Sequence, residues 1–567
     1  MARIPLNGRA YQERSLIANS LKTVNMYAES NKDDPEAPVP FTYYQTPGLD
    51  LVSTPNNPGK ARCTYRTSIG TAYVVIENTV YFLATNNALV FVGSIPDRIS
   101  QVYMADNGLV AVLVDGVNGW VIDLSTNEFA QIIDPSFYGA DFVVYLDTFF
   151  VFNRPATDQF YISLSQVDFG LLSGTAIGSG TITNAGSLYT DSLYLSVPLT
   201  GGSGTGATAN ITIAGAVVTD VVITTPGKNY LVGDTLSADT ANIGGTGSGF
   251  IYTIDTFALA FDPLDIAAKS GSADPIVAIL TYQKQLWLIG ALTTEIWIGT
   301  GAADFYFQLV QGAYIDHGCI APYTAANTDI VGFWLMQDRV GKNIIVKTEG
   351  YGVVEISTPF LVKEFDSYIT TSDAIGFCWQ QEDHAFYVLI FQSANKTWLY
   401  ELKTQQWNEW SWLNTDDGSY NRHRANCGMY FNGKNLIGDW ETGKIYALNS
   451  ETYTDAGNPI VRIKTFLHMV DNMDRVGYPT FDADIEPATQ AADIDTEPLI
   501  FLSWSDDRGV TFGNPVAQSM GKGGQTLTTI SWNRLGMARD RVFKLQTSVP
   551  IKFVLNGGFA NVVKARS

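Results

Sequence analysis

Short apolar runs, four at a time, recur along this chain, and residues 373–412 show the unit most clearly. Ala374–Gln380, His384–Phe391, Thr397–Leu402 and Trp407–Trp412 are strand-length runs rich in aromatic and aliphatic residues. The polar breaks Gln381–Asp383, Gln392–Lys396 and Lys403–Gln406 separate them, which is the signature of strands joined by tight turns. His384–Phe391 is apolar at odd and even positions alike. Alternate residues of a strand face opposite sides, so this strand must be covered on both faces. A small antiparallel sheet buried on both sides fits one blade of a β-propeller, held between two neighbours.

The same pattern begins near Ala61 and runs to Leu448. A related apolar step stands in the third run of most units: Val80-Tyr81, Trp120-Val121, Phe160-Tyr161, Ile296-Trp297, Trp398-Leu399 and Ile445-Tyr446. Its spacing of roughly 40–50 residues is that of propeller blades. The reading is a mainly β protein with a six- or seven-bladed β-propeller over 61–165 and 258–452. The last unit is one strand short, so another part of the chain is expected to complete it. Residues 1–60 read as an N-terminal arm, with a short helix or an extended segment over 15–27. Residues 166–257 interrupt the repeat. Gly, Ser, Thr and Ala dominate there, and Lys228 is the only basic residue. Two alternating runs, 207–213 and 217–224, predict a small Gly-rich β-module inserted between blades. Residues 453–567 form a separate C-terminal β domain.

Charge narrows the function. The net charge is -21, which argues against a sequence-specific DNA binder, since such proteins carry a basic footprint. The last 46 residues reverse the balance: Lys522, Arg534, Arg539, Arg541, Lys544, Lys552, Lys564 and Arg566 oppose Asp540 alone. A basic terminus on an acidic chain reads as a docking surface for an acidic partner or nucleic acid. The acidic stretch Asp482, Asp484, Glu486, Asp493, Asp495, Glu497 reads as a solvated loop or edge, because the glycine and helices of a calcium-binding loop are missing. Cys63, Cys319, Cys378 and Cys427 are far apart and lie in or beside apolar runs, so buried thiols are expected. The first residues lack the apolar core of a signal peptide. No apolar run approaches the ~18 residues of a membrane span, so neither signal-directed export nor stable membrane insertion is expected.

Motifs for catalysis do not assemble. His317, His384, His423 and His468 make no zinc-ligand spacing, and His317/Cys319 or His423/Cys427 lack an acidic orienter for a Cys–His pair. The stretch 428–435 (GMYFNGKN) approaches a phosphate-binding loop but sits in a predicted hairpin. The stretch 201–206 (GGSGTG) enters a strand, whereas phosphate cradles enter helices. Residues 505–512 (SDDRGVTF) match an Asp box, a turn in which Asp accepts backbone N–H groups and Gly supplies the unusual φ. Sialidases carry such boxes as structural turns. No catalytic residue, cofactor or metal ligand is therefore assigned. A competing reading is a β-propeller glycan-binding protein or glycosidase, drawing on the Asp box and the 12 tryptophans.

Taken in order, several stretches resemble one family. They are 8–15 (GRAYQERS), Val24-Asn25-Met26-Tyr27 and Thr46-Pro47-Gly48-Leu49 at the start. In the middle are 317–322 (HGCIAP), Trp334-Leu335, Ile356-Ser357-Thr358, 384–389 (HAFYVL), 397–400 (TWLY) and Trp407. At the end are 504–509 (WSDDRG) and 532–543 (WNRLGMARDRVF). The chain resembles the packaged-DNA stabilisation, or tail nozzle (hub), proteins of short-tailed bacteriophages. The resemblance implies a structural, non-enzymatic virion protein in the phage tail, assembled in the host cytoplasm. It implies a homo-oligomeric ring, usually a hexamer, below the portal and its head-to-tail adaptor. Such a ring extends the DNA channel, retains packaged DNA, and lets double-stranded DNA pass without specific binding during ejection. Tail fibres or a needle are further expected partners. Arg3, Arg9, Arg14, Arg534, Arg539 and Arg541 are the candidate partner-interface residues.

Overall fold

The computed structural model describes residues 4–5, 20–31, 40–98, 100–302, 304–337, 341–472, 474–486, 497–521 and 530–564. Seven four-stranded antiparallel units follow one another along the chain among these residues, five as separate sheets and the sixth and seventh as parts of a ten-stranded and a six-stranded sheet. The first four are built on Ala72–Ile76, Val110–Val114, Phe149–Asn153 and Gln285–Gly290, and the last three on Gly332–Gln337, His384–Phe391 and Lys434–Asp439. The apolar step named above occupies the third strand wherever it occurs, for example Gly119–Asp123, Lys396–Glu401 and Ile445–Asn449. The seventh sheet takes its fourth strand from the N-terminal region: Gly48–Ser53 pairs antiparallel with Ile445–Asn449. The expected missing strand is thus supplied by residues about 400 positions earlier.

The chain divides into two compact units, one of residues 1–64, 85–89 and 315–567, the other of residues 65–84 and 90–314. In the first, the sixth sheet shows why its second strand is apolar throughout. Phe386, Val388 and Ile390 pack into a cluster with Leu49, Ala425, Ile437 and Tyr446 of the seventh sheet. Tyr387, Leu389 and Phe391 pack with Phe333, Leu335 and Ile345 of the fifth. Each face meets a different neighbour, so positions 386–391 are all apolar or aromatic.

The C-terminal region of this unit is a sandwich. One sheet runs Met26–Ser30, Phe41–Gln45, Val554–Lys564, Val476–Ile485, Ile530–Asn533. The facing strands are Arg462–Thr465, Asp540–Thr547, Leu499–Ser505 and Val516–Ser519. Met26, Tyr43, Phe481, Trp532 and Leu555 of one layer share a core with Ile500, Leu502, Phe543 and Leu545 of the other. Of the two alternatives for 15–27, the extended one holds over the described part: residues 23–24 and 26–30 are strands. One expectation changes here. Asp482 is not in a solvated loop: it lies in the strand Val476–Ile485, paired on both sides, and its buried carboxylate accepts the Ser531 hydroxyl. Asp484 is exposed on the same strand, Glu486 pairs with Lys552, Glu497 accepts the Ser519 hydroxyl, and Asp493 and Asp495 lie outside the described residues.

In the second unit, the residues from 177 to 257 form a six-stranded sheet ordered Ile177–Tyr189, Gly245–Phe257, Thr235–Ala238, Ser192–Gly201, Thr208–Ala214, Val217–Thr225. Its core is its own, with Ile211, Ile213, Tyr230, Phe250 and Ile254 buried together. The module does not sit between sheets, as expected, but inside one. The third sheet's last strand, Ile266–Ala268, follows the module and pairs back with Gln159–Ile162, which precedes it. The ends are adjacent, since Ala258 N–H donates to Ala176 C=O at 3.0 Å. A module whose ends meet can enter a tight connection without parting the host strands.

Candidate functional site

The candidate site of the first unit is built on the strand Thr23–Val24. It pairs in parallel with the outer strand of the sixth sheet at Val24/Glu409 and antiparallel with Thr23/Lys464 and Val24/Ile463 of the sandwich. Two residues therefore make the sixth sheet and the sandwich one continuous ladder. The next residue, Asn25, secures it. Its side-chain N–H groups donate to Ser411 C=O and Val461 C=O, both at 2.9 Å, and its Oδ1 accepts Ser411 N–H at 2.8 Å. Its φ of 54° is left-handed, a region in which asparagine is favoured among non-glycine residues. Asn25 is 2% exposed, so each of those bonds replaces one that water would otherwise make.

Two unusual charges are buried in the same unit, one of them at this junction. Lys464 is 1% exposed. Its Nζ donates to Thr23 Oγ1 at 3.0 Å and lies 3.9 Å from the centre of the Tyr43 ring. No carboxylate lies within ion-pair distance among the described residues, and burial pushes its pKa down to about 7. Asp455 is the counterpart: burial pushes its pKa up to about 7, against the pull of Arg462 and Arg424. Glu409 behaves differently. Burial raises it, but Lys22 at 2.8 Å and Lys396 at 2.6 Å outweigh that and hold it below the usual carboxylate range. Nothing in the sequence marks Asn25 or Lys464 as interior, because a polar residue at one position of a strand carries no sign that its face is buried.

The C-terminal sandwich contains three of the expected interface arginines. Arg534, in a left-handed turn with φ 59°, and Arg539 are exposed. Arg541 is a correction. It is 1% exposed, donates through Nε and Nη2 to both oxygens of Asp506 at 2.6 and 2.8 Å, and through Nη1 to Leu535 C=O. Its guanidinium also lies 4.6 Å from the Tyr478 ring centre, so it organises the sandwich interior and presents no face to a partner. Lys552 and Lys564 pair with Glu486 and Asp471. Arg3, Arg9, Arg14, Lys522 and Arg566 lie outside the described residues. The Asp box is a structural turn: Asp507 accepts Ser505 Oγ and Thr511 N–H, and Gly509 has φ 88°.

Of the candidate cysteines and histidines, Cys319 and His423 are buried and Cys427 is half-buried. Cys319 and Cys427 have thiols pushed up by burial to about 12 and about 11; both stay protonated at neutral pH. His423 is stacked on Trp410 at 3.6 Å and is buried neutral, its pKa driven down by desolvation and by Arg424. The stretch 428–435 forms the hairpin between Ala425–Phe431 and Lys434–Asp439, turning on Asn432 and Gly433, both at positive φ. That is the geometry of a two-residue hairpin, not of a phosphate loop. Among the described residues there is no cluster of three or more metal-ligating side chains.

Comparison with known proteins accords with this picture of paired sheets. A search of curated proteins gave no match. Among solved structures, a chain of the S. cerevisiae Dbp5 complex with Nup159, Gle1, IP6 and ADP is 9% identical, covering 72% of this chain and 95% of that one, with a TM-score of 0.29. The WD40 β-propeller domain of Doa1 is 8% identical, covering 70% and 97%, with a TM-score of 0.28. At those scores the likeness carries no inference. Family models are decisive: the model described as bacteriophage P22 Gp10, β-propeller, matches residues 247–453, and that described as bacteriophage P22 Gp10, β-sandwich, matches residues 468–563. Together they cover more than half of the chain, in the order in which the structure builds sheets and sandwich. This chain belongs to the bacteriophage P22 Gp10 family and is a structural protein of a phage tail nozzle.

Proposed function

We propose that this chain forms a ring of six copies, which prolongs the DNA channel below the portal and its head-to-tail adaptor. The ring holds packaged DNA in place and lets it leave during ejection, after assembly in the host cytoplasm. Exposed Arg534 and Arg539, with Arg3, Arg9 and Arg14, are the proposed contacts to adaptor or neighbouring subunit, and fibres or a needle attach further out.

The observation that carries this reading is the joint match to the propeller and sandwich models of one tail protein, in a chain whose sixth sheet and sandwich share a ladder through Thr23–Val24. A conduit wall must not yield under load, and a ladder continued across two layers resists shear better than a linker. Charge supports the DNA-handling part. Six copies would carry six times -21, and an acidic surface releases no counterions on meeting a phosphate backbone, so DNA gains nothing by adhering.

Electron microscopy of purified particles, and of the protein mixed with its adaptor, tests the proposal. The expected result is a hollow sixfold ring carrying density for this chain below the adaptor. A chain that stays monomeric with adaptor present and is missing from the tail overturns it.

A further inference from the structure

Between turns of the sixth and seventh sheets, in the first unit, lies a cavity of about 460 Å³. Gln381 and Glu382 reach its wall from the hairpin that joins Ile375–Gln381 to His384–Phe391. Tyr430, Lys434 and Asn435 come from the hairpin at 428–435, and Asp50 from Gly48–Ser53. Each stands on a paired strand or in a two-residue turn, so the wall is set before a ligand arrives. The Tyr430 ring is open, the residue being 55% exposed. Around it stand mostly acceptors. Gln381 Oε1 is shielded from water and has no partner among the described residues, a costly state for a carbonyl oxygen unless something donates to it. Glu382 is fixed through Oε1 by the Ser450 hydroxyl at 2.7 Å, which leaves Oε2. Asn435 spends Nδ2 on Gln380 C=O at 2.7 Å, which leaves Oδ1. Asp50 is oriented by Asn449 Nδ2 and the Thr452 hydroxyl, both at 2.7 Å, and its oxygens keep further lone pairs. Lys434 is the one ammonium in the wall among the described residues.

An open aromatic face beside several fixed acceptors and a single ammonium fits a polyhydroxyl ring. The C–H face of such a ring is slightly positive and covers the negative face of the tyrosine. Its hydroxyls donate to the amide and carboxylate oxygens and accept from the lysine. Two carboxylates against one ammonium leave the wall one charge negative, which disfavours acidic and phosphorylated sugars. A guanidinium would also satisfy the acceptors. The cavity, however, falls in the ~300–1,000 Å³ range of whole small ligands, and one side chain would leave most of it unfilled. We propose that this cavity binds a neutral saccharide, stacked on Tyr430 and bonded through Gln381, Glu382 and Asn435, a function separate from ring formation. The role is binding alone: no bond of the sugar is made or broken.

The test is saturation-transfer NMR of the full chain with a panel of neutral hexoses and their disaccharides, with sialic acid and arginine methyl ester as charged comparisons. The expected result is saturable transfer from at least one neutral saccharide, with a dissociation constant on the order of millimolar. Tyr430→Ala is expected to weaken binding about tenfold and Glu382→Gln about threefold. Thermal unfolding of both variants is expected to be unchanged, since both side chains are exposed. Glu382→Gln, in its exposed turn, decides alone if Tyr430→Ala fails to fold. No saturable transfer from any neutral saccharide overturns the proposal, as does transfer that the folded variants leave unweakened, or that is stronger for the acidic sugar or the guanidinium probe. Imaging of the ring is independent of either outcome.

Discussion

The sixth sheet and the inserted module are both small antiparallel β structures, yet they are held in opposite ways. His384–Phe391 is buried on both faces, shares its side chains with sheets on either side, and its sheet is tied to the sandwich by Thr23–Val24 and Asn25. The module keeps a core of its own and exposes Leu193 and Leu195 on its outer face. Its charged attachment to the second sheet is Lys228, whose Nζ reaches Asp123 at 2.5 Å and Glu128 at 3.0 Å. One element draws its stability from neighbours and the other from itself. The first is therefore intolerant of change, and the second is a removable addition.

The comparison breaks most readily at Asn25. Asn25→Ala leaves three buried backbone groups without their partner and puts alanine at positive φ, so a loss of about 3–5 kcal/mol is expected. Urea unfolding followed by tryptophan fluorescence measures it; a loss under ~1 kcal/mol would mean that the junction is secured elsewhere.

Next comes pH. Lys464 has a folded pKa of about 7 against 10.5 unfolded, so the unfolded chain binds more protons between those values and stability rises with pH across that window. Asp455 has a folded pKa of about 7 against 3.8 unfolded, so the folded chain binds more protons there and stability falls as pH rises from about 4 to 7. Both effects place a minimum near neutrality. Lys464→Met is expected to flatten the alkaline rise, up to about 5 kcal/mol across the full window, and Asp455→Asn the acid fall. Urea midpoints from pH 4 to 10 check both; an unaltered profile in Lys464→Met would show that the ammonium is solvated.

Smaller effects lie in the module. Lys228→Met removes two partly exposed ion pairs, to Asp123 and Glu128, so about 1 kcal/mol is expected, read as faster amide exchange over residues 225–230 with no change in the sixth sheet. Smallest of all is excision of 177–257 with Ala176 joined to Ala258 through a short turn. Because those residues already bond to each other, the thermal midpoint of the remainder is expected to move by no more than about 3 °C. A collapse of the third sheet would reverse the contrast drawn here.

Legibility followed the same division. The four runs of 373–412, the hairpin at 428–435, the Asp box and the compositional break at residue 166 were readable, since each is a local arrangement whose turn residues and apolar spacing report on their own surroundings. Gly48–Ser53 was not readable as the seventh sheet's outer strand, although the sheet's missing partner was. Arg541 read as a surface charge because nothing beside it in sequence shows Asp506 closing over it.

By itself the sequence determined the strands, their turns, the both-sided burial of the sheets and the family, because backbone preference and apolar periodicity act over a few residues. Only the tertiary structure decided which strand completes the seventh sheet, that the module enters within the third, and that Asn25, Lys464 and Arg541 are interior. Those outcomes depend on contacts such as Asn25 with Ser411, 386 positions apart, and burial of a polar group is a property of what closes over it.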